Sequence, residues 1–233
     1  MSALRLAIIG PGKMGSAVAE LAAARGHVVV ATIADGMPID ADSLNGADVA
    51  IEFTDPGAAA ANVKACVLSG CPVVVGTTGW YDQLPAIGKL VEGRGGALLW
   101  SANFSLGVHA LAAIVRRAGE QFLQLPGFDA QLIETHHGMK KDAPSGTARM
   151  LQQDFAATSG REAPITSIRL GSVPGTHTLV LDGKFEQIVI THEARDRRVF
   201  AEGALLAAAW LVGRHGVFTL DDVLSQKSDK ETQ

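Results

Sequence analysis

The sequence predicts an α/β protein in which a doubly wound parallel sheet is followed by an α+β part. Up to residue 104, short strands that are apolar on both faces alternate with helices, and most strands end in a polar or glycine-rich turn. This pattern is typical of a parallel sheet covered by helices on both sides. Beyond residue 104 several strands follow one another closely, which favours a separate, hairpin-rich sheet.

The predicted parallel sheet begins with the apolar run 6–9, which ends at a glycine-rich turn and leads into an alanine-rich helix at 17–25. Periodicity then predicts further strands and two more helices. Ligands of such sheets bind outside the carboxyl ends of the strands, where the polar turns lie. The further strands are at 27–35, 48–55, 72–79 and 97–104, and the helices at 57–68 and 81–92.

The second part opens with an amphipathic helix, a strand and a loop rich in histidine and lysine. Two of its later strands are joined through Asp182-Gly183-Lys184, a sequence typical of a hairpin turn. After a final helix we expect a short polar tail. The helices are predicted at 106–122, 147–157 and 203–214, and the strands at 128–134, 165–173, 177–182 and 185–193.

Composition excludes several classes of protein. The chain has 233 residues, 47% of them hydrophobic, and a net charge of -4, which gives no overall field to attract nucleic acid or an anionic membrane. The longest apolar run, 204–212, is too short to span a bilayer, and no signal peptide is recognisable, so we expect a cytoplasmic protein. Cys66 and Cys71 are expected to be reduced core thiols.

A glycine-rich turn follows the first strand. Gly10, Gly12 and Gly15 match the pattern G-x-G-x-x-G, in which glycines permit a tight turn and a close approach of the backbone to a pyrophosphate. The pattern alone is weak, and a plain glycine turn is the alternative. Here a strand precedes it, a helix follows it, and Asp35 ends the second strand, where it could bind the adenosine ribose. The context predicts a Rossmann-type dinucleotide site.

Asp35 also bears on the choice of cofactor. Its carboxylate would repel a ribose 2′-phosphate, and Gly36 supplies no compensating cation. Lys13, in the glycine turn, could reach a phosphate. We therefore expect NADH to be preferred, with NADPH possible.

The loop after residue 134 contains the densest group of reactive side chains. His136, His137, Lys140 and Lys141 form a local cationic patch in a slightly acidic chain, which suits a small anionic substrate. A histidine with a pKa near neutrality can also deliver a proton there. The alternative is that these are ordinary surface residues. As a metal site the loop is poor, because the adjacent histidines lack helical spacing and no cysteine or acid completes a recognisable ligand set.

Ser145, Gly146 and Thr147 open the next helix. Free N–H groups and hydroxyls at a helix N-terminus bind carboxylates well, although a helix cap alone would explain the same residues. A dicarboxylate substrate would account for both the cationic patch and the helix start. No nucleophile elbow is present, so Ser145 is a weak candidate for a nucleophile. The remaining histidines are scattered, and for most of them a structural role is expected.

The stretch from Glu134 to Ala148 resembles the signature of a known family, the bacterial dihydrodipicolinate reductases (4-hydroxy-tetrahydrodipicolinate reductases) of lysine and diaminopimelate biosynthesis. Four other segments resemble that family and occur in its order, so the resemblance covers nearly the whole chain. They are Glu52-Phe53-Thr54, Gly76-Thr77-Thr78-Gly79, Ser101-Ala102-Asn103-Phe104-Ser105 and Val173-Pro174-Gly175-Thr176-His177.

The resemblance implies an NAD(P)H-dependent reduction of a cyclic dicarboxylate made from aspartate semialdehyde and pyruvate. It implies that His136 is the general acid/base and Lys140 a second proton donor, and that Arg197 closes the site. Substrate carboxylates would be held by His137, Ser145, Gly146 and Thr147. The dinucleotide would be lined by Gly10, Gly12, Lys13, Met14, Gly15, Asp35, Phe53, Thr54, Gly76, Thr77, Thr78, Ser101, Ala102, Asn103 and Phe104.

The resemblance also implies a domain organisation and an assembly. The C-terminal segment returns to complete the nucleotide domain, which gives one domain from residues 1–104 and 203–233 and a substrate-binding and oligomerisation domain from residues 105–202. A homotetramer formed through the sheet of the second domain is expected. Two other functions stay open: another NAD(P)-dependent dehydrogenase of an amino or hydroxy acid, and a non-catalytic module that senses NADH.

Overall fold

The computed structural model of the chain describes residues 2–225. It has ten strands and seven α-helices within that range. In chain order they are β1 (Arg5–Ile9), α1 (Lys13–Ala24), β2 (Val28–Ile33), β3 (Val49–Glu52), α2 (Pro56–Leu68), β4 (Val73–Val75), α3 (Leu84–Gly93), β5 (Ala97–Trp100), α4 (Leu106–Phe122), β6 (Asp129–His136), α5 (Gly146–Ser159), β7 (Ile165–Arg169), β8 (Gly175–Asp182), β9 (Gln187–Ala194), α6 (Arg198–Leu211), β10 (Gly216–Thr219) and α7 (Leu220–Ser225).

The chain forms two compact units. One contains the segment up to Phe104 and the segment from Arg198 onward, and the other is Ser105–Arg197. The return of the chain expected at residue 203 comes five residues earlier, because α6 begins at Arg198. The end of the expected first domain, 226–233, lies outside the described residues. Within the described part of the chain, no helix is both long and apolar enough to cross a membrane.

The first unit is built on a six-stranded sheet in the order β10-β5-β4-β3-β1-β2, with every pair parallel. Its central strands are buried on both faces because both faces carry apolar side chains, as the sequence predicts. Helix α1 packs with α6, and α2 packs with α3. The doubly wound parallel sheet is confirmed.

The sixth strand and the helix after it were not predicted from the sequence. Strand β10, with only four half-buried residues, pairs with β5 at the edge of the sheet, and α7 follows it directly. The expectation of a polar tail after the last predicted helix is wrong for this segment. A run of four residues is too short to carry a periodic signal, and it becomes a strand because its backbone pairs with β5.

The order of the strands places a switch point between β1 and β3. From β1 the chain first adds β2 on one side of the sheet, and then β3 on the other. Connections that leave in opposite directions open a crevice at the carboxyl ends of the strands. Any nucleotide site of this unit is therefore expected at the ends of β1, β2 and β3.

The second unit has a four-stranded sheet in the order β7-β6-β8-β9, covered on one face by α4 and α5. Buried and half-buried positions alternate from Gln131 to His136 on β6 and from Gly175 to Leu181 on β8. Leu132, Leu179 and Phe155 belong to the core of this unit. The opposite face of the sheet carries Ile133 and Val180, which are partly exposed.

The expectation of a hairpin-rich sheet holds for one pair of strands. Strands β8 and β9 form the predicted hairpin, whereas β6 and β7 are parallel and α5 connects them. The strand predicted at 165–173 ends at Arg169. Parallel neighbours need a crossover connection, and α5 supplies it.

Candidate active site

A cavity of about 360 Å³ lies at the carboxyl ends of β1, β2 and β3 in the first unit. This volume is within the range of small-molecule sites, and the position is the switch point of the sheet. Each of the three strands contributes the residues that follow it. The cavity is lined by Gly10, Gly12, Asp35, Phe53 and Thr54, among others, five of the residues predicted to bind the dinucleotide.

The three glycines of the turn have different surroundings. Gly10 has a φ of +86°, and a Cβ there would lie 2.2 Å from the carbonyl oxygen of Phe53. A Cβ on Gly15 would lie 2.2 Å from the carbonyl oxygen of Gly10, so both glycines are required by packing. A Cβ on Gly12 would meet no atom within 4 Å. Gly12 therefore leaves open space beside the N-terminus of α1, where a phosphate group would fit.

The remaining residues of the first turns differ in exposure. Asp35 is exposed and follows β2 at the cavity, as the sequence predicts. Lys13 is exposed at the first position of α1, and Met14 is half-buried beside it. Neither side chain lines the cavity as far as it is defined. Lys13 is therefore available to a ligand that extends along the helix N-terminus.

The residues predicted to bind the dinucleotide at the ends of β4 and β5 lie behind the cavity wall. The backbone N–H of Thr54 donates to Oγ1 of Thr77 at 2.8 Å, and a Cβ on Gly76 would lie 1.9 Å from the ring of Phe53. The rings of Phe53 and Phe104 meet edge to face with centroids 6.1 Å apart. These contacts tie the ends of β4 and β5 to the wall of the cavity.

The rest of this predicted group lies in two turns. Thr78 and Ala102 are exposed. Ser101 donates from Oγ to the carbonyl oxygen of Asn103 at 2.7 Å and accepts from its N–H, so this hydroxyl stabilises its own turn. Binding of the dinucleotide by Ser101 stays a prediction.

Two polar residues beside the cavity were not found from the sequence as ligand-binding residues. Asn62 lines the cavity and donates to Oε1 of the buried Glu52 at 3.3 Å, and Thr54 also donates to that oxygen. Burial raises the pKa of Glu52, although the hydrogen bonds from Thr54, Thr77 and Asn62 oppose the shift. Asn62 lies within α2, where no sequence pattern marks it as a ligand-binding residue, and only the fold brings it to the cavity.

The second unit gathers a buried polar cluster at the end of β6. Glu134 and His136 lie on one face of that strand, and His177 lies opposite Glu134 on β8. Nδ1 of His136 is 3.1 Å from Oε2 of Glu134, and Arg169 donates to Oε1 of Glu134 at 3.0 Å. The rings of His136 and His177 meet edge to face with centroids 5.1 Å apart. We call Glu134, His136, Arg169 and His177 the β6 cluster.

Electrostatics fix the charges in the β6 cluster. Burial raises the pKa of Glu134, but hydrogen bonds from Ser145, Ser167 and Arg169 outweigh burial and hold that pKa at about 2. Burial lowers the pKa of His136, an effect opposed by Glu134 and reinforced by Lys140 and Arg169. Glu134 is therefore ionised at neutral pH, and the pKa of His136 lies below its usual value.

The helix start behaves as the sequence predicts, with one difference. Ser145 caps α5, because its Oγ accepts from the N–H of Ala148 at 3.1 Å. Ser145 is also buried: its N–H donates to Oε1 of Glu134, and its Oγ lies 3.4 Å from Nε2 of His177. Gly146 is exposed and a Cβ there would meet no atom, and Thr147 is half-buried. The side of the helix start open to a ligand is that of Gly146.

The cationic loop is held by ion pairs and backbone contacts. Nζ of Lys140 is 2.8 Å from Oδ1 of Asp142. Arg169 donates to the carbonyl oxygens of Lys140 and Asp142, so it connects the loop to Glu134. His137 is half-buried in the same loop. Arg197, exposed at the last position of the second unit, stays a prediction.

Arg169 and His177 were missed as functional residues. Arg169 lies opposite His136 in the register of β7, and His177 lies opposite Glu134 in the register of β8. Spacing along the chain relates only residues that are close in sequence. The register of β6 and β8 brings His177 next to Glu134 and His136. Only a correct prediction of this strand pairing would have identified the group from the sequence.

Comparisons with known proteins identify the family. The family model of the N-terminal part of dihydrodipicolinate reductase matches residues 4–104, and the model of its C-terminal part matches residues 107–224. The chain belongs to the dihydrodipicolinate reductase family. This confirms the resemblance seen in the sequence, and with it an NAD(P)H-dependent oxidoreductase that acts as a 4-hydroxy-tetrahydrodipicolinate reductase in lysine and diaminopimelate biosynthesis.

Relatives of the reductase match over most of its length. A 4-hydroxy-tetrahydrodipicolinate reductase of Christiangramia forsetii is 35% identical, covering 95% of this chain and 98% of that protein. One of Xanthomonas campestris pv. campestris is 41% identical, covering 87% and 89%. A dipicolinate-bound dihydrodipicolinate reductase from Paenisporosarcina sp. TG-14 has the same fold, with a TM-score of 0.76 at 22% identity over 94% of this chain and 98% of that one.

Proposed function

We propose that the β6 cluster and the loop that follows it carry the chemical step, with His136 as the general acid. The observation that carries this proposal is the placement of His136 between an ionised Glu134 and the cationic loop. Bound NAD(P)H supplies a hydride to the conjugated ring of the dicarboxylate. A proton must neutralise the negative charge that builds up on the ring. His136 is the proposed donor of that proton, because added negative charge raises its pKa.

Glu134 acts on the reaction through His136. Its ionised carboxylate favours a proton on the imidazole, and Arg169 fixes the carboxylate from the other side. When a dianionic substrate binds, two more negative charges raise the pKa of His136 toward the range where it can donate. Lys140, paired with Asp142 at 2.8 Å, is the second proton donor of the proposal.

The substrate carboxylates are bound by the start of α5 and by the loop. The N–H groups of the first turn, at Gly146 and Thr147, form the positive end of the helix dipole, and Ser145 positions that turn by capping it. His137 and Lys140 supply positive charge nearby, and Arg197 closes the site. Holding the ring in one orientation contributes much of the rate acceleration, because it removes the entropic cost of alignment from the chemical step.

The dinucleotide binds at the ends of β1, β2 and β3, and NADH is the preferred form. Support comes from the open face of Gly12 and from Asp35 at the cavity. The Asp35 carboxylate accepts hydrogen bonds from ribose hydroxyls and repels a 2′-phosphate, and Gly36 adds no cation. Phe53 and Thr54 form the wall, supported by Gly76, Thr77 and Phe104.

We also propose that the reductase is a cytoplasmic homotetramer. The face of the second sheet that α4 and α5 leave uncovered carries Ile168 and Val189, which are 42% and 54% exposed. Burying this face against other copies would remove apolar surface from water, which supports the expected homotetramer. Cys66 and Cys71 are free and buried, as in proteins of a reducing compartment, which supports a cytoplasmic location.

Coupled turnover tests the chemistry. The substrate is generated in situ from pyruvate and aspartate semialdehyde by the preceding synthase, and oxidation of NADH or NADPH is followed by absorbance. We expect turnover that requires both the synthase and the reductase, and that is much slower in His136→Gln while this variant still binds NADH. Full turnover in a folded His136→Gln variant would exclude His136 as the acid.

A further inference from the structure

The β6 cluster contains three possible metal ligands that the proposed reaction does not use as a set. Glu134, His136 and His177 each offer one ligand atom, and these atoms lie within 4.8 Å of one another. All three residues are buried. We infer that they form a site for a divalent transition-metal ion, with Zn²⁺ the best match, and that the ion inhibits the reductase by occupying His136.

The closest approach within the trio favours a bridging ion over a proton. Nδ1 of His136 and Oε2 of Glu134 are 3.1 Å apart, yet neither atom makes a hydrogen bond of acceptable geometry. Ligands about 2.0 to 2.2 Å from a tetrahedral Zn²⁺ are about 3.3 to 3.6 Å from each other. This pair is therefore already near the spacing that zinc requires, and the ligand atom of His177 lies within 4.8 Å of both.

The strands hold the ligands in place before any ion arrives. Glu134 and His136 are two residues apart on β6 and share a face, and His177 lies opposite Glu134 on β8. Oε1 of Glu134 accepts from Arg169 at 3.0 Å and from the N–H of Ser145 at 3.1 Å, which leaves Oε2 for an ion. Partners of this kind orient metal ligands in known sites.

The charge states also suit a metal. Glu134 is a carboxylate paired with Arg169, and Nδ1 of the buried His177 makes no hydrogen bond within the described part of the chain. Neutral imidazole and carboxylate are the forms that bind metal ions. The cations Arg169 and Lys140 oppose an ion, but they are paired with Glu134 and Asp142, so this group of four carries no net positive charge.

The ligand types select the ion. Two histidines and one glutamate with an open fourth position match the ligand set of catalytic zinc sites, whereas Mg²⁺ and Ca²⁺ prefer oxygen ligands throughout. An ion bound to His136 removes that imidazole from proton transfer. The inhibition rests on the proposed role of His136, whereas the binding of the ion does not.

Direct binding of Zn²⁺ to the full-length chain tests the site. Calorimetry should show one ion per chain, and His177→Asn and Glu134→Gln should each weaken the affinity at least about 10-fold, as expected for the loss of a ligand or its support. The matched control is His215→Asn, because His215 is exposed in the first unit and contacts the carbonyl oxygen of Gly95. Its affinity for zinc should equal that of the wild type.

Cobalt substitution gives a second readout on the unmodified protein. Bound Co²⁺ should show the visible absorption of a low-coordinate site with nitrogen and oxygen ligands and no thiolate charge-transfer band, since Cys66 and Cys71 lie in the other unit. The site is refuted if wild-type protein binds no zinc, if both ligand variants keep wild-type affinity, or if Co²⁺ reports thiolate ligands. Should a variant fail to fold, the cobalt spectrum decides alone.

Activity separates this inference from the proposed function. We expect Zn²⁺ to inhibit turnover and a chelator to restore it, with inhibition weakened in parallel with binding. If zinc binds through Glu134 and His177 but turnover continues unchanged, the site stands and the role of His136 as the acid is refuted.

Discussion

Replacing single glycines of the first turn separates cofactor binding from folding. Gly12→Ala adds a methyl group where the structure has no atom within 4 Å, and Gly12 has a φ of -73°, which alanine adopts without strain. Alanine is a poorer helix N-cap than glycine but lowers the entropy of the unfolded chain, and the two effects nearly cancel. We expect a change in stability of less than about 1 kcal/mol, or about 4 °C in Tm.

The same methyl group would lie where the pyrophosphate approaches the backbone. Losing one hydrogen bond to a charged phosphate costs about 1.5 to 3 kcal/mol, which corresponds to a rise of about 10- to 100-fold in the KM for NADH. The KM comes from initial rates at saturating dicarboxylate, and the Kd from quenching of tryptophan fluorescence.

Gly15→Ala is the matched comparison. Its Cβ would be 2.2 Å from the Gly10 carbonyl oxygen, against 3.4 Å for an ordinary contact, so the helix must move away from the turn. Such overpacking costs about 1 to 3 kcal/mol and should lower the Tm by about 2 to 12 °C. Wild-type affinity for NADH in Gly12→Ala would refute the pyrophosphate site, and a wild-type Tm in Gly15→Ala would refute the packing argument.

Further predictions concern the acid, the cofactor, the stability and the assembly. His136→Gln should lower kcat about 10²- to 10⁴-fold while leaving the Kd for NADH unchanged. An unchanged kcat would refute the role of His136 as the general acid. NADH should give a higher kcat/KM than NADPH, and Asp35→Ala should narrow that ratio; a wild-type preference for NADPH would contradict the role of Asp35. The pKa of His177 falls from 6.5 to about 4 on folding, so its contribution to stability is complete above pH 6.5 and is lost as the pH falls toward 4. Between pH 6.5 and pH 4, the free energy of unfolding measured in urea should therefore fall by about 3 kcal/mol more for the wild type than for His177→Asn. The same dependence on pH in both proteins would refute the shift in the pKa of His177. Val189→Asp should lower the mass of the proposed tetramer in light scattering, and an unchanged mass would exclude the exposed face of the second sheet as the interface.

The sequence was sufficient for the features that depend on local pattern. The glycine turn, the apolar strands of the first sheet and the cap at Ser145 all depend on neighbouring residues, and the structure contains each of them. The features that were missed depend on pairing between distant segments. Strand β10 exists because β5 pairs with it, and β6 and β7 are parallel because α5 crosses between them.

The residues of the candidate site also differ in whether a local pattern identifies them. His136 and Lys140 are recognisable from a dense run of reactive residues. Arg169 and His177 join them only through the registers of β7 and β8, which periodicity does not determine. Asn62 reaches its cavity from the middle of a helix, and no local pattern marks it.

The discontinuity of the first unit has a consequence for synthesis on the ribosome. Helix α6 contacts β3, β4 and β5, and Gly203 lies so close to Phe104 that a Cβ would be 1.8 Å from its carbonyl oxygen. Because these contacts join segments far apart in the chain, β3, β4 and β5 lack the cover of α6 on one face until that helix has emerged. The uninterrupted segment Ser105–Arg197 can fold earlier. The amino-terminal half of the nascent chain is therefore the later to mature, and it is the segment that a chaperone would have to protect.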